Sequence, residues 1–224
     1  RICGLAVALL QSIRLQLSVG QYGAVEASRG ASQDTLDMPL NERPWLKERF
    51  AAIRKIEHET ERLGALDQVL HWADPGPGGF HDDLGSVARS SRVVLGPSFE
   101  EDPAGRSGVL MHFDNAGGGP LSYRDHALTL YEQPLTLRYE GLDPSAQYQA
   151  RVVCGTPVRV TGNGGRPIRA SIDQVYTPVE FPIPRELTAG GRLDLEFHGA
   201  PGRGGNGRTC AVAEIWLIRE PAEE

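Results

Sequence analysis

The chain is poor in cysteine, and its three cysteines form no recognisable site. Cys3, Cys154 and Cys210 are an odd set without C-x-x-C spacing, which excludes a zinc knuckle and a dense disulfide framework. Cys154 and Cys210 both fall in strand-like runs, where they either pair or sit as two small buried hydrophobes. No apolar run approaches the roughly 18 to 20 residues that cross a bilayer as a helix, so a membrane partner is not expected. Blocks of like charge are absent as well. The 23 basic and 29 acidic residues leave a net charge of -6, and a surface of that kind does not suit nucleic acid. There is no G-x-S-x-G elbow, H-E-x-x-H helix or Walker-type phosphate loop. Gly-Arg-Gly-Gly-Asn-Gly at 202–207 has no strand feeding it and reads as a long turn. The chain opens on Arg1-Ile2-Cys3, without an initiator Met or the pattern of a signal peptide. The expectation is a piece of a longer polypeptide whose upstream region is a partner of this one.

What is abundant is glycine (27) and proline (16), which favours short strands separated by turns. Two stretches escape that texture. Ile2, Leu5, Ala6, Leu9, Leu10, Ile13 and Leu17 form one stripe of a 3.6-residue helix. A second helix is predicted from Pro44 to Trp72, with Leu46, Phe50, Ile53, Ile56, Leu63, Leu66 and Leu70 at spacings of three and four. Joined by the loop-like residues 18–43, they make a helical hairpin. The texture changes at Asp74-Pro75-Gly76-Pro77-Gly78-Gly79, which cannot be helical. The chain therefore divides into a helical segment, 1–73, and a second region, 74–224.

That second region carries about ten strand candidates, from Arg92–Leu95 to Ala211–Ile218. In Leu135-Thr136-Leu137-Arg138-Tyr139 and Leu193-Asp194-Leu195-Glu196-Phe197 every second residue is apolar, as a half-buried strand requires. Short strands without intervening helices mean an antiparallel sandwich or barrel. The predicted class is α+β, a helical hairpin followed by an antiparallel β-sandwich.

Three segments together resemble galactose-binding-like jelly rolls of the carbohydrate-binding-module kind. They are Tyr139–Pro144 with Tyr148–Val153, Val179–Pro184 with Gly190–Phe197, and the closing run Ala211–Ile218, in which Glu214 stands among apolar residues. With the Trp72-Ala73-Asp74-Pro75-Gly76-Pro77-Gly78 loop, the order resembles the C-terminal region of large bacterial polysaccharide-degrading proteins. The resemblance implies an accessory, non-catalytic module of a secreted protein, extracellular or periplasmic, that binds a glycan. It also implies a structural calcium ion held by Asp82, Asp83 and Glu214. The oxygen-rich His81-Asp82-Asp83 cluster suits that ion, but the same carboxylates equally serve as turn caps and arginine partners.

For the glycan the candidates are Tyr123, Arg124, Asp125, Asn163, Asn206 and Arg208, because an aromatic ring beside hydrogen-bonding groups fits a pyranose. Two rival readings use the same residues differently. In one the sandwich only buttresses an upstream catalytic domain. In the other His112, Asp114 and His126 form a small metal-dependent enzyme site, since His112 and Asp114 share a strand face. No pair among Glu132, Glu140, Asp173, Glu180 and Glu196 is singled out for glycoside hydrolysis.

Overall fold

The computed structural model describes residues 43–84, 90–96, 100–101, 109–112, 126–130, 132–201 and 208–221. The stripe at 2–17 and the connector up to residue 42 lie outside them.

The single helix predicted over 44–72 is two helices, α1 (Arg43–Ile53) and α2 (Glu59–Leu70). At the end of α1 the ladder tightens, with Lys55 N–H on Ala52 O and Ile56 N–H on Ile53 O, the three-residue spacing of a helix running out. No Gly or Pro marks the break. Its reason is burial. At 100° per residue, Leu66 and Val69 of an unbroken helix would lie roughly 180° from Leu46, Phe50 and Ile53. The interruption lets both sets bury together. Leu63 and Leu70, counted on the buried stripe from sequence, are exposed at 50% and 40%, and Val69 is buried instead.

Ten antiparallel strands follow: β1 (Phe80–Asp83), β2 (Val109–His112), β3 (His126–Leu130), β4 (Leu135–Glu140), β5 (Tyr148–Cys154), β6 (Val158–Gly162), β7 (Arg166–Ile172), β8 (Val179–Ile183), β9 (Arg192–Gly199) and β10 (Arg208–Arg219). A short helix α3 (Arg185–Thr188) joins β8 to β9. Sheet A runs β2-β3-β10-β5-β8, and β1 also pairs with β10. Sheet B runs β4-β9-β6-β7. The 12-residue β10 is the spine of sheet A. One edge pairs with β5, and the other takes β3 along its first half and β1 along its second.

Alternation builds the core between the sheets. Leu135, Leu137 and Tyr139 of β4 and Leu193, Leu195 and Phe197 of β9 meet Tyr148, Ala150 and Val152 of β5 and Ile215 and Leu217 of β10, all buried. The fold is an antiparallel β-sandwich with helices before it, as the composition and alternation predict.

Two local expectations are corrected. Residues 92–95 form no full strand but a single bridge, Val93 to Leu137, beside the edge of β4. His81-Asp82-Asp83, expected as an oxygen-rich cluster for an ion, belongs to strand β1. Phe80 at its start lies under the Arg92 guanidinium and tilts against Tyr139. Of the two readings of Cys154 and Cys210, the structure shows the second: both are free thiols buried in the core.

Among the described residues no helix is long and apolar enough to cross a membrane.

Candidate functional site

The two outer faces of the sandwich differ, and the difference locates the site. On sheet A the outward residues Leu128, Val153, Ala211, Ala213, Glu214 and Trp216 are all buried. The helical segment ties itself to this face through Trp72. Its ring stands edge-on to Trp216 at 5.4 Å, and its Nε1–H donates to Glu214 Oε1 at 3.0 Å. Trp216 Nε1–H returns a bond to Trp72 O at 2.8 Å, and Arg49 lies over the Trp72 ring. His81 Nε2 reaches the same Glu214 oxygen at 3.3 Å, while Arg151 lies over Trp216 and pairs with Glu180.

Sheet B turns its other side to water. Registers β4–β9 and β6–β9 set Thr136 and Thr161 on either side of Glu196, Arg138 beside Asp194, and Arg159 beside His198. These are the polar halves of the strands whose apolar halves make the core. Arg138 grips Asp194 with two bonds, Nε at 2.9 Å and Nη2 at 3.1 Å, and Arg192 adds two more. The Arg138 guanidinium, followed by that of Arg192, holds the Asp194 carboxyl down to about 2. Glu196 Oε2 accepts from Thr161 Oγ1 at 2.7 Å and from Gly165 N–H, and its Oε1 accepts from Gly164 N–H. The Thr161 hydroxyl also lies 2.8 Å from His198 Nε2. Partial burial, then the Arg159 charge, lowers the His198 imidazole below its ordinary value, while Glu196 opposes them. The result is a row of carboxylates, guanidinium groups and imidazole, each held in place by its neighbour and anchored on the buried Thr161 hydroxyl.

The residues singled out from sequence fall elsewhere. Period-two alternation puts Asp82 and Asp83 on opposite sides of β1. Asp82 faces the core, where it accepts from Ser90 Oγ, Arg92 Nη1 and Tyr139 OH. Burial first, and Asp82 second, push the Tyr139 hydroxyl well above its ordinary value. Asp83 pairs in register with Glu214 on the outer side. The three carboxylates do not meet, and among the described residues no three metal-ligating side chains converge. Asp82 therefore does not join Asp83 and Glu214 in one set of carboxylate ligands.

Asn163 occupies the β6–β7 turn at φ 47°, followed by Gly164 and Gly165 at φ 82° and 96°. Its Nδ2 donates to Leu187 O and its Oδ1 accepts from Asp194 N–H, both at 2.8 Å, so the amide ties the turn to β9. Arg208 opens β10 opposite Leu130, at the far end of β3 from His126. Tyr123, Arg124, Asp125 and Asn206 lie outside the described residues. The fold thus places Asn163 and Arg208 on different sheets. His112 and His126 stand in cross-strand register, and Asp114 lies outside the described residues.

Sequence alone does not assemble the sheet B row. Its signal is the polar half of each alternating strand, Thr136 and Arg138 with Asp194 and Glu196, which only the β4–β9 register brings together.

No family model matches the chain, and no curated protein matches it. Similar solved structures include a Bacillus subtilis protein (12% identity, TM-score 0.39, 65% of this chain and 41% of that one). Another is the Podospora anserina GH26-CBM35 β-(1,4)-mannanase (9%, 0.36, 66% and 29%). A third is the CBM36-1 domain of a multidomain xylanase from the hindgut metagenome of Trinervitermes trinervoides (9%, 0.32, 65% and 99%). The chain spans less than half the length of the first two.

Proposed function

We propose that this chain is a glycan-binding β-sandwich, an accessory module of a larger extracytoplasmic protein, and that the outer face of sheet B is its binding surface. One observation carries the reading: Trp72 packs on Trp216 and Glu214 of sheet A, while the outer side of sheet B carries a row of polar groups already fixed by one another. Sugar hydroxyls are recognised by donors and acceptors held in position, because groups that need no ordering on binding lose little entropy. Arg138, Asp194, Glu196 and His198 meet that requirement. No aromatic side chain is described on this face, so hydrogen bonds dominate and affinity is modest. A few exposed bonds yield roughly 4 to 7 kcal/mol, or a Kd of about 10 μM to 1 mM.

Affinity electrophoresis through gels of mixed polysaccharides tests this, with His198→Ala and Tyr123→Ala as the variants. Retardation of the wild-type protein, reduced in His198→Ala, is the expected result. Retardation lost only in Tyr123→Ala moves the surface to the loops. If no polysaccharide retards the protein, the sandwich is a buttress for its neighbouring domain, a reading that the Trp72–Trp216 contact favours.

A further inference from the structure

The arginines of the sandwich are not treated alike. Arg92 pairs with Asp82, Arg138 and Arg192 with Asp194, Arg151 with Glu180, and Arg219 with Asp143. Arg185 donates to Ser145 O. Among the arginines of the sandwich whose side chains the structure describes, three remain, all on the β6–β7 hairpin. Arg159 and Arg166 make no hydrogen bond or ion pair within the described structure, and Arg169 donates only to Ser171 O, through Nε. All three are exposed. Arg159 stands opposite His198. Arg169 is paired with Val160 of β6 in the ladder and shares its strand side with Pro167 by alternation, so Arg159 borders the row directly and Arg169 stands one strand beyond it.

Unpaired guanidinium groups are weakly hydrated forks whose geometry matches a carboxylate or sulfate. An acidic chain (net charge -6) that leaves three of them unneutralised in one hairpin is presenting a local anion-binding edge. The rest of the surface is net acidic and repels a continuous polyanion wherever the polymer passes within the roughly 8 to 10 Å screening length. Isolated anionic groups on a mostly neutral polymer meet both conditions.

We infer that the sheet B surface takes a glycan bearing spaced anionic substituents, carboxylate or sulfate, with Arg159 and Arg169 reading the charge. The inference rests on the glycan-binding reading and narrows its ligand class. Arg159 and Arg169 are specificity-determining, and the Asp194 and Glu196 row holds the neutral hydroxyls beside them.

The test is titration calorimetry with matched polymers: a uronate-bearing polysaccharide and its carboxyl-reduced form, and a sulfated galactan and its desulfated form. Wild-type protein should bind at least one anionic member about tenfold more tightly than its neutral counterpart, and the ratio should fall as salt rises. The arm that shows the ratio names the substituent. Arg159→Gln/Arg169→Gln should bind both members of the pair equally, at the wild-type affinity for the neutral one. An unchanged urea midpoint shows that the variant folds. Equal binding of charged and neutral polymers by the wild type overturns the inference and leaves the glycan reading standing. Binding to no polymer overturns both. Equally tight binding to a single-stranded oligonucleotide shows generic attraction for anions and also overturns the inference.

Discussion

Asp194 shows how much of the exposed row depends on single charged groups. Its carboxyl accepts four bonds from Arg138 and Arg192 and titrates at about 2 instead of 3.8. A carboxyl depressed by folding contributes stability that is fully present above its unfolded value. That contribution is lost as the pH falls through its folded value. Here the window runs from 3.8 down to about 2. Both arginines are more than a third exposed, so water screens the pairs and the stabilisation is about 1 kcal/mol. Asp194→Asn should therefore lower stability by about that amount at neutral pH and flatten the acid limb of the stability curve. Urea unfolding of both proteins at several pH values between neutral and 2.5 measures it. Parallel limbs in the two proteins would mean that another carboxylate carries the acid loss.

At the scale of the element, regular alternation was legible and irregular burial was not. Leu135–Tyr139 and Leu193–Phe197 announce themselves as strands because one side meets the core and the other meets water. Phe80-His81-Asp82-Asp83 does not, since one aspartate is buried in a hydrogen-bond network and the other lies beside Glu214. The helical break at residues 54–58 was equally hidden, because burial of Leu66 and Val69 imposes it and no local stop signal does. Glu214 was noticed as a carboxylate in an apolar run, but its partners come from Trp72, 142 residues away in sequence, and from His81. Those contacts test whether residues 74–224 stand apart from the helical segment. Removing the carboxylate strands the Trp72 Nε1–H where its ring meets the sheet. Both Glu214→Ala and Trp72→Ala should cost about 2 to 4 kcal/mol. Because they break one shared interaction, the double variant should cost less than their sum. A sandwich midpoint in urea that Trp72→Ala leaves unmoved would show the sandwich stable on its own, as the division at Asp74 proposes.

For the whole molecule, the two core thiols report on the sandwich as a unit. Cys154 ends β5 and Cys210 lies near the start of β10, so both stand in the two central strands of sheet A and face the core. Burial pushes the Cys210 thiol up to about 12 and the Cys154 thiol well above its ordinary value. The thiolate is the reactive form, so an uncharged thiol without solvent access is doubly protected. Neither strand lies at a sheet edge, and exposing Cys154 requires separating the sheets or unpairing β10 from β5, while exposing Cys210 requires separating the sheets or unpairing β10 from β3. Alkylation of both should therefore be negligible in native conditions and should rise together through the unfolding transition, with the midpoint seen by fluorescence. Cys3 provides the internal contrast, because the sequence places it outside the sandwich. Mass spectrometry of partly labelled protein separates the three sites. Labelling of Cys210 well before Cys154 would mean that the β3 edge of sheet A opens by itself. The sandwich would then have to be treated as two cooperative parts, with sheet B and its polar row on the more stable one.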